Sequence, residues 1–466
     1  MSSRHPFSMP VFLRRSPRSG VRLLLGGLAL ASLAAPMAAM AYPAMPAPAS
    51  VRRHRFPVAA LPPLPSGLTT PVLQNQVSCP ALQARLESIL AGERGVWSVS
   101  MADRSGRLLA DINGERPRSP ASNQKLVTTA FAIDRLGPDY RLSTQMWRLP
   151  DGTFRILGQG DPDLAVPHLQ RFARLAMNSG GGPGLPGSVV KLEMAEEPAQ
   201  TWWPQGWKVG DRAYAYGAPI TRLAITSNAI DDAVSNPAAR LRTLLQRSVA
   251  QEGGDVRIAM VSPQAPLPQN AVLVHQEPST SMLGLLSLAN TESHNFTAEV
   301  LLRQAAGSWD LDRAARLETG WLMQQNLPMQ GVTIYDGSGL DRFNRLTSRF
   351  ITALLLRMDN HPYGRYFLGS MAIAGQRGTL RNLYNGTSLD GRVYAKTGTL
   401  SGVRAISGQL LTADGPRYFS AISNGGTTPN QTIGRMLRQA QDTSLCGGGY
   451  SAQGFSNRGS DFGNSY

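Results

Sequence analysis

The sequence predicts an α/β fold of the α+β kind, an antiparallel sheet flanked by helices with a mostly-β domain inserted into it. Three observations carry this. An amphipathic helical pattern near residue 80 leads into two strand-like runs separated by a turn, which reads as a helix followed by a hairpin. A second helical pattern, strongly apolar, follows Ser122. From about 141 to 275 the texture changes to short strands, Gly/Pro turns and aromatics, and helical patterns return after 275. The middle stretch therefore reads as an insert: residues 78–140 and 276–446 form one discontinuous domain and 141–275 another. With 466 residues there is room for about two or three domains and a substantial core.

Residues 1–41 hold Arg4, Arg14, Arg15, Arg18 and Arg22 and no acidic residue, with an apolar run from Leu23 to about Ala35. Ala39-Met40-Ala41 then supplies a small-residue exit, the pattern of a secretory signal peptide whose apolar part is too short to span a membrane. Residues 42–77, rich in Pro and Ala with basic Arg52, Arg53 and Arg55, read as a flexible linker. A helix is expected from Cys79 to Leu90, with Leu82, Leu86, Ile89 and Leu90 apolar. Strands are expected over Val96–Met101 and through Leu108 and Leu109, around the turn Asp103-Arg104-Ser105-Gly106. Residues 447–466, rich in Gly, Ser and Asn, are expected to be a disordered tail. The chain's two cysteines, Cys79 and Cys446, lie near the two ends of the ordered region. Export permits a disulfide between them; two unpaired buried cysteines are the alternative.

The formal net charge is +15. Loss of the leader's five arginines brings it to about +10, still basic enough to favour an anionic partner. No basic stripe interleaved with aromatics occurs, and nucleic acid is not expected outside the cytoplasm, so a negatively charged wall polymer is preferred. A dispersed, solvated basic surface is the alternative.

The chemistry centres on Pro120-Ala121-Ser122-Asn123-Gln124-Lys125. Leu126, Val127, Ala130, Phe131, Ile133 and Leu136 follow at three- and four-residue steps, and Gly137-Pro138 ends the pattern. Ser122 and Lys125 thus share one face at the start of a buried helix, close enough to share a proton. Lysine occurs only at 125, 191, 208 and 396, so arginine carries nearly every other positive charge. Arginine cannot lose its proton in a protein, whereas a buried lysine can and so can serve as base to a serine nucleophile. Ser188-Val189-Val190-Lys191 repeats the spacing, but its valines read as a strand and the match is given no function. Two further stretches suit acyl transfer. Ser293-His294-Asn295, read as an extended turn between two apolar helices, offers a hydroxyl to relay a proton and a carboxamide to bind an amide. Lys396-Thr397-Gly398-Thr399, at the end of a strand-like run, offers a carboxylate clamp, a glycine against which a substrate backbone could lie, and an exposed N–H.

S-x-x-K, S-x-N and K-T-G in this order form the signature of penicillin-recognising serine enzymes. The chain resembles the D-alanyl-D-alanine carboxypeptidase/endopeptidase family, the low-molecular-mass class C penicillin-binding proteins. The resemblance spans about residues 79 to 446 and includes Leu136-Gly137-Pro138-Asp139-Tyr140, Gly160-Asp161-Pro162, Asp336-Gly337-Ser338-Gly339-Leu340, Gly375 to Leu380 and Lys396 to Val403. It implies a β-lactamase/transpeptidase-like sheet and a periplasmic enzyme acting on peptidoglycan stem peptides, acylated by β-lactams and needing no metal or other cofactor. It implies Ser122 as nucleophile, Lys125 as its base, Ser293 as proton relay, Asn295 as donor-peptide ligand, and Lys396 and Thr397 as carboxylate ligands, with Lys396 also depressing the Lys125 pKa. The backbone N–H groups of Ser122 and Thr399 would form the oxyanion hole beside Gly398. Asp211 would bind the amine of a diaminopimelate side chain, and Arg342 would lie near the substrate's acidic end. Two departures stand out: His294 occupies a position where the family often has Asp, and the stretch between Asn228 and Pro237, where relatives often carry a second inserted β domain, is very short, so one insert domain and a reduced second one are expected. A β-lactamase and a non-catalytic peptidoglycan-binding protein are the rival readings. No dedicated deacylating base is evident for the first, and the intact motifs disfavour the second.

Overall fold

The computed structural model describes residues 71–179 and 189–446. The leader of residues 1–41, most of the 42–77 linker, the Gly/Pro run at 180–188 and the tail at 447–466 lie outside the described residues.

The chain begins with helix α1 (Pro80–Leu90), the hairpin of β1 (Trp97–Asp103) and β2 (Leu108–Ile112), and helix α2 (Gln124–Leu136). A second group follows: β3 (Ser143–Arg148), β4 (Phe154–Gly158), α3 (Val166–Ser179), β5 (Val189–Ala195), α4 (Pro237–Gln251), β6 (Asp255–Val261) and β7 (Val272–Pro278). Helices α5 (Met282–Asn290), α6 (Asn295–Ala306), α7 (Leu311–Met323), α8 (Ser348–Asp359) and α9 (Gly364–Gly369) come next. The short β8 (Ala372–Ile373), long β9 (Val393–Leu400), β10 (Val403–Thr412) and β11 (Gly415–Asn424) and helix α10 (Pro429–Gln441) complete it.

The first sheet runs β2-β1-β11-β10-β9-β8, with every neighbouring pair antiparallel. Successive strand residues face opposite sides, and here both sides are buried. On β11, Phe419 and Ala421 join the core under α1 and α10, while Tyr418 and Ile422 join the core of α2, α5, α6 and α8. Cys79, at the start of α1, is joined by a disulfide to Cys446, just past the end of α10.

The second sheet, β6-β5-β4-β3-β7, is built wholly from residues between Ser143 and Pro278. β4, β5 and β6 run parallel, which requires a crossover between each pair, and α3 and α4 supply them. These helices accompany the strands that the texture predicts, and they cover one face through Leu169, Phe172, Leu241, Leu245 and Val249. Lys191 lies exposed on β5, in the strand conformation predicted for it. Between Asn228 and Pro237 the described chain makes only isolated bridges, Ala229 to Ala233 and Tyr214 to Asp232, before α4 begins.

Candidate active site

The Ser122 turn is a short 3-10 segment, Ala121–Asn123, feeding directly into α2. Ala121 is held at φ 47°, a left-handed conformation that L-residues rarely adopt. β9 packs against this turn so closely that a Cβ on Gly398 would lie 2.6 Å from the Pro120 carbonyl oxygen and 3.2 Å from the Asn123 nitrogen. The glycine of the K-T-G motif therefore lets the Ser122 turn approach the strand. Asn123 ties the turn to the next strand as well, its Nδ2 donating to Ser407 Oγ on β10 at 2.6 Å.

Lys125 is fully buried and points back along its helix at Ser122. Its Nζ lies 3.0 Å from Ser122 Oγ, 2.6 Å from Asn295 Oδ1 and 2.7 Å from the Ser338 carbonyl oxygen. The Asn295 amide is oriented by Tyr216, whose carbonyl oxygen can only accept and receives Nδ2 at 2.8 Å. Two of the three groups around Nζ are thus obligate acceptors. An ammonium donates to all three groups; on losing one proton the amine still satisfies the two obligate acceptors with its two hydrogens and turns its lone pair to the Ser122 hydroxyl. Burial supports that state, pushing the Lys125 pKa down to about 7 against the carboxylates of Asp336 and Glu299.

The Ser338 carbonyl is held by a buried acidic scaffold. Glu299 accepts the Gly337 and Ser338 N–H groups at 3.0 and 2.9 Å and pairs with Arg303 at 2.8 Å. Asp336 accepts from the Gly339 and Asp341 N–H groups and from Trp207 Nε1, at 2.7, 2.8 and 2.9 Å. Gly339 (φ 82°) is required here, since a Cβ would sit 1.9 Å from the Ala121 carbonyl oxygen.

Ser293 and Asn295 do not lie in an extended turn. Ser293 is left-handed at φ 63° and Asn295 is the first residue of α6. This break sends the two side chains to different lysines: Asn295 to Lys125, and Ser293 Oγ to Lys396 Nζ at 2.8 Å. Lys396 is fully buried and also donates to the Thr397 carbonyl oxygen at 2.7 Å. Burial first, and repulsion from Lys125 second, hold its pKa well below the ordinary value. Burial is the main cause of the shift at both lysines, and the repulsion between the two amines acts on each of them. His294, between Ser293 and Asn295 in the chain, is neutral, pushed down to about 4 by burial and by Lys125. Thr397 Oγ1 bonds Thr379 Oγ1 at 2.7 Å, and Thr399 is exposed.

Asp211 and Arg342 sit at the rim. The Tyr216 hydroxyl donates to Asp211 Oδ1 at 3.0 Å, so Asp211 reaches the centre through Tyr216 and Asn295. Arg342 Nη1 donates to the Ser401 carbonyl oxygen at 3.2 Å, in the turn after β9. Both Asp211 and Tyr216 come from the chain between 141 and 275, so the second group of elements contributes one wall. Ser338, Glu299, Tyr216 and Thr379 escape sequence reasoning. The Asp336-to-Leu340, Gly375-to-Leu380 and Tyr216-Gly217-Ala218-Pro219 stretches flagged three of these neighbourhoods without their roles.

A D-alanyl-D-alanine carboxypeptidase of Actinomadura sp. strain R39 is 26% identical over 450 residues, spanning 75% of this chain and 82% of that protein. A carboxypeptidase of Mycobacterium tuberculosis is 27% identical, spanning 86% of this chain and 89% of its own. Penicillin-binding protein 4 of Haemophilus influenzae has the same fold, with a TM-score of 0.67 at 18% identity over 77% of this chain and 99% of that one. The family model for D-Ala-D-Ala carboxypeptidase 3 (S13) matches residues 82–232 and 228–443, two segments that meet where the chain is short. Matched over most of its length, the chain belongs to the D-Ala-D-Ala carboxypeptidase 3 (S13) family and is a peptidase of that kind.

Proposed function

We propose that this chain is an exported serine DD-peptidase that cleaves D-Ala-D-Ala ends, or D-Ala–diaminopimelate cross-links, of peptidoglycan through an acyl-enzyme on Ser122. The observation that carries it is the surroundings of Lys125, a buried amine with two fixed acceptors and a serine hydroxyl at 3.0 Å.

Ser122 Oγ attacks the peptide carbonyl while Lys125 takes its proton, and the developing oxyanion is held by the N–H groups of Ser122 and Thr399. Lys125 then gives that proton up by way of the Ser293 hydroxyl to the amine as the C–N bond breaks, leaving an ester on Ser122 and Lys125 neutral again. Water then attacks the ester with Lys125 again as base, releasing the shortened peptide. Asn295 holds the donor peptide, and Thr397 and Thr399 face the leaving residue's carboxylate with Lys396 behind them holding Ser293. Asp211, through Tyr216, takes the free amine of a diaminopimelate side chain, and Arg342 its acidic end. β9 supports this arrangement: its outer edge pairs with β8 only at Tyr394 and Ala395, so the edge from Lys396 onward can add an extended peptide as a strand. Export rests on the residue 1–41 leader and on the family's extracytoplasmic substrate; no described helix is long and apolar enough to cross a membrane. The discontinuous domain 78–140 plus 276–446 carries the chemistry, and the 141–275 insert supplies the Asp211 wall. β-Lactams, as cyclic amides, would acylate the same serine.

Time-resolved intact mass of residues 42–466 with benzylpenicillin, beside Ser122→Ala, tests this reading. The expected result is a lasting adduct on the wild type alone. An adduct that disappears within seconds while the drug is consumed points to a β-lactamase, and no adduct leaves a binding protein.

A further inference from the structure

The peptide this site is proposed to cut carries a carboxylate on the carbon next to the scissile nitrogen. An anion so close to the reacting bond calls for a lasting positive charge. Lys125 is engaged as base, and Lys396 is buried with its Nζ on Ser293 and Thr397. Arg342 reaches the Ser401 carbonyl at the rim. The other cation on β9 and β10 is Arg404.

β10 pairs antiparallel with β9 so that Arg404 stands directly across from Thr399, and directly opposed residues share one face of the sheet. Arg404 Nη1 donates to Thr399 Oγ1, and its other donors make no hydrogen bond to the described residues. The side chain is half-buried, and no carboxylate among the described residues pairs with it. Its electrostatic neighbour is the phenol of Tyr384, whose hydroxyl already donates to the Asn430 carbonyl oxygen. A partly desolvated guanidinium without a counter-ion is costly to hold, and an arriving anion relieves that cost. Its position is set by a tight turn: Leu400 pairs with Val403 across Ser401-Gly402, with Gly402 at φ 76°, so the register that opposes Arg404 to Thr399 is fixed.

We propose that Arg404 is a specificity-determining residue that, together with the Thr399 hydroxyl, recognises the carboxylate of the leaving residue. The inference rests on the acyl-enzyme reading of Ser122 and names what that site selects. It takes a peptide whose scissile nitrogen sits on a carbon bearing a free carboxylate, and it discriminates against the amidated form or a plain side-chain amine. Benzylpenicillin has the same relation, since its lactam nitrogen is bonded to the carboxylate-bearing carbon, so the drug and its methyl ester form a matched pair of probes.

The experiment is the acylation rate of Ser122 by each probe, followed by intact mass, in the wild type, Arg404→Lys and Arg404→Ser, with melting temperatures recorded beside it. A charge-assisted hydrogen bond predicts that Arg404→Ser slows the free acid roughly 10- to 100-fold while leaving the ester rate unchanged, with Arg404→Lys in between. Equal slowing of both probes makes Arg404 a packing residue and overturns the proposal, as does an unchanged acid-to-ester ratio. No adduct on the wild type with either probe takes down the Ser122 reading itself and this inference with it.

Discussion

At the scale of the residue, the site turns on the protonation of one amine. On the proposed mechanism Lys125 works neutral, and burial holds its pKa to about 7, so the working form is lost as pH falls through that value. Acylation by benzylpenicillin should therefore fall about tenfold per pH unit below about 7 and level off above it, measured as a pH series of adduct formation. Lys125→Arg keeps a charge that cannot be given up, and should cost roughly 10²- to 10⁴-fold at every pH. His294 offers a finer test. Neutral in the folded protein, it adds no charge beside Lys125. His294→Asp places a carboxylate there, which favours the ammonium. The acid limb should then move to higher pH with the plateau retained. An unmoved limb would mean that residue 294 does not act on the base.

At the scale of the element, the site depends on β9 lying against the Ser122 turn, and Gly398 is what permits it. Gly398→Ala drives a methyl to within 2.6 Å of the Pro120 carbonyl oxygen, and neither backbone can yield without moving the Ser122 turn or the strand. The expected loss is about 10²-fold in acylation rate, the size that a displacement of about 1 Å brings, with a smaller effect on melting temperature. Sequence period made much of this level legible. Helix α2 announces itself by apolar steps and the Gly137 stop, whose φ is 78°, and the first hairpin by its turn. Helices α3 and α4 were less legible because the adjoining Gly/Pro run sets the texture, although Leu169, Phe172, Ala173 and Ala176 do recur at helical spacing. The Ser338 carbonyl was illegible in principle, because a backbone group leaves no residue-type signal. Arg404 needed strand register, which only the Ser401-Gly402 turn defines. The three motifs could be read without a structure because each needs particular side chains. Their division of labour, with Ser293 on Lys396 and Asn295 on Lys125, needed the left-handed break at Ser293.

At the scale of the whole molecule, the first and last helices cover the same face of the first sheet, and the strands beside them are far apart in sequence. β1 pairs with β11 from Trp97–Ser423 to Asp103–Arg417, so the sheet is completed only when the end of the chain returns. Cys79 and Cys446, 367 residues apart, fasten that return. In the unfolded chain the same bond closes a very long loop, so most of its effect falls on the unfolded state; typical disulfides contribute about 2–4 kcal/mol. The Lys125 centre lies across the sheet, in the core of α2 and α6, which the bond does not touch. A double Cys79→Ala, Cys446→Ala variant should therefore lose about 2–4 kcal/mol of unfolding free energy by denaturant titration, while its Ser122 acylation rate at low temperature stays within about twofold of the wild type. Loss of acylation in the still-folded variant would show that the α1–α10 layer sets the geometry of the nucleophile turn from the far side of the sheet. An unchanged unfolding free energy would show that packing of Leu82, Leu86, Ile433 and Leu437 alone holds the two ends together.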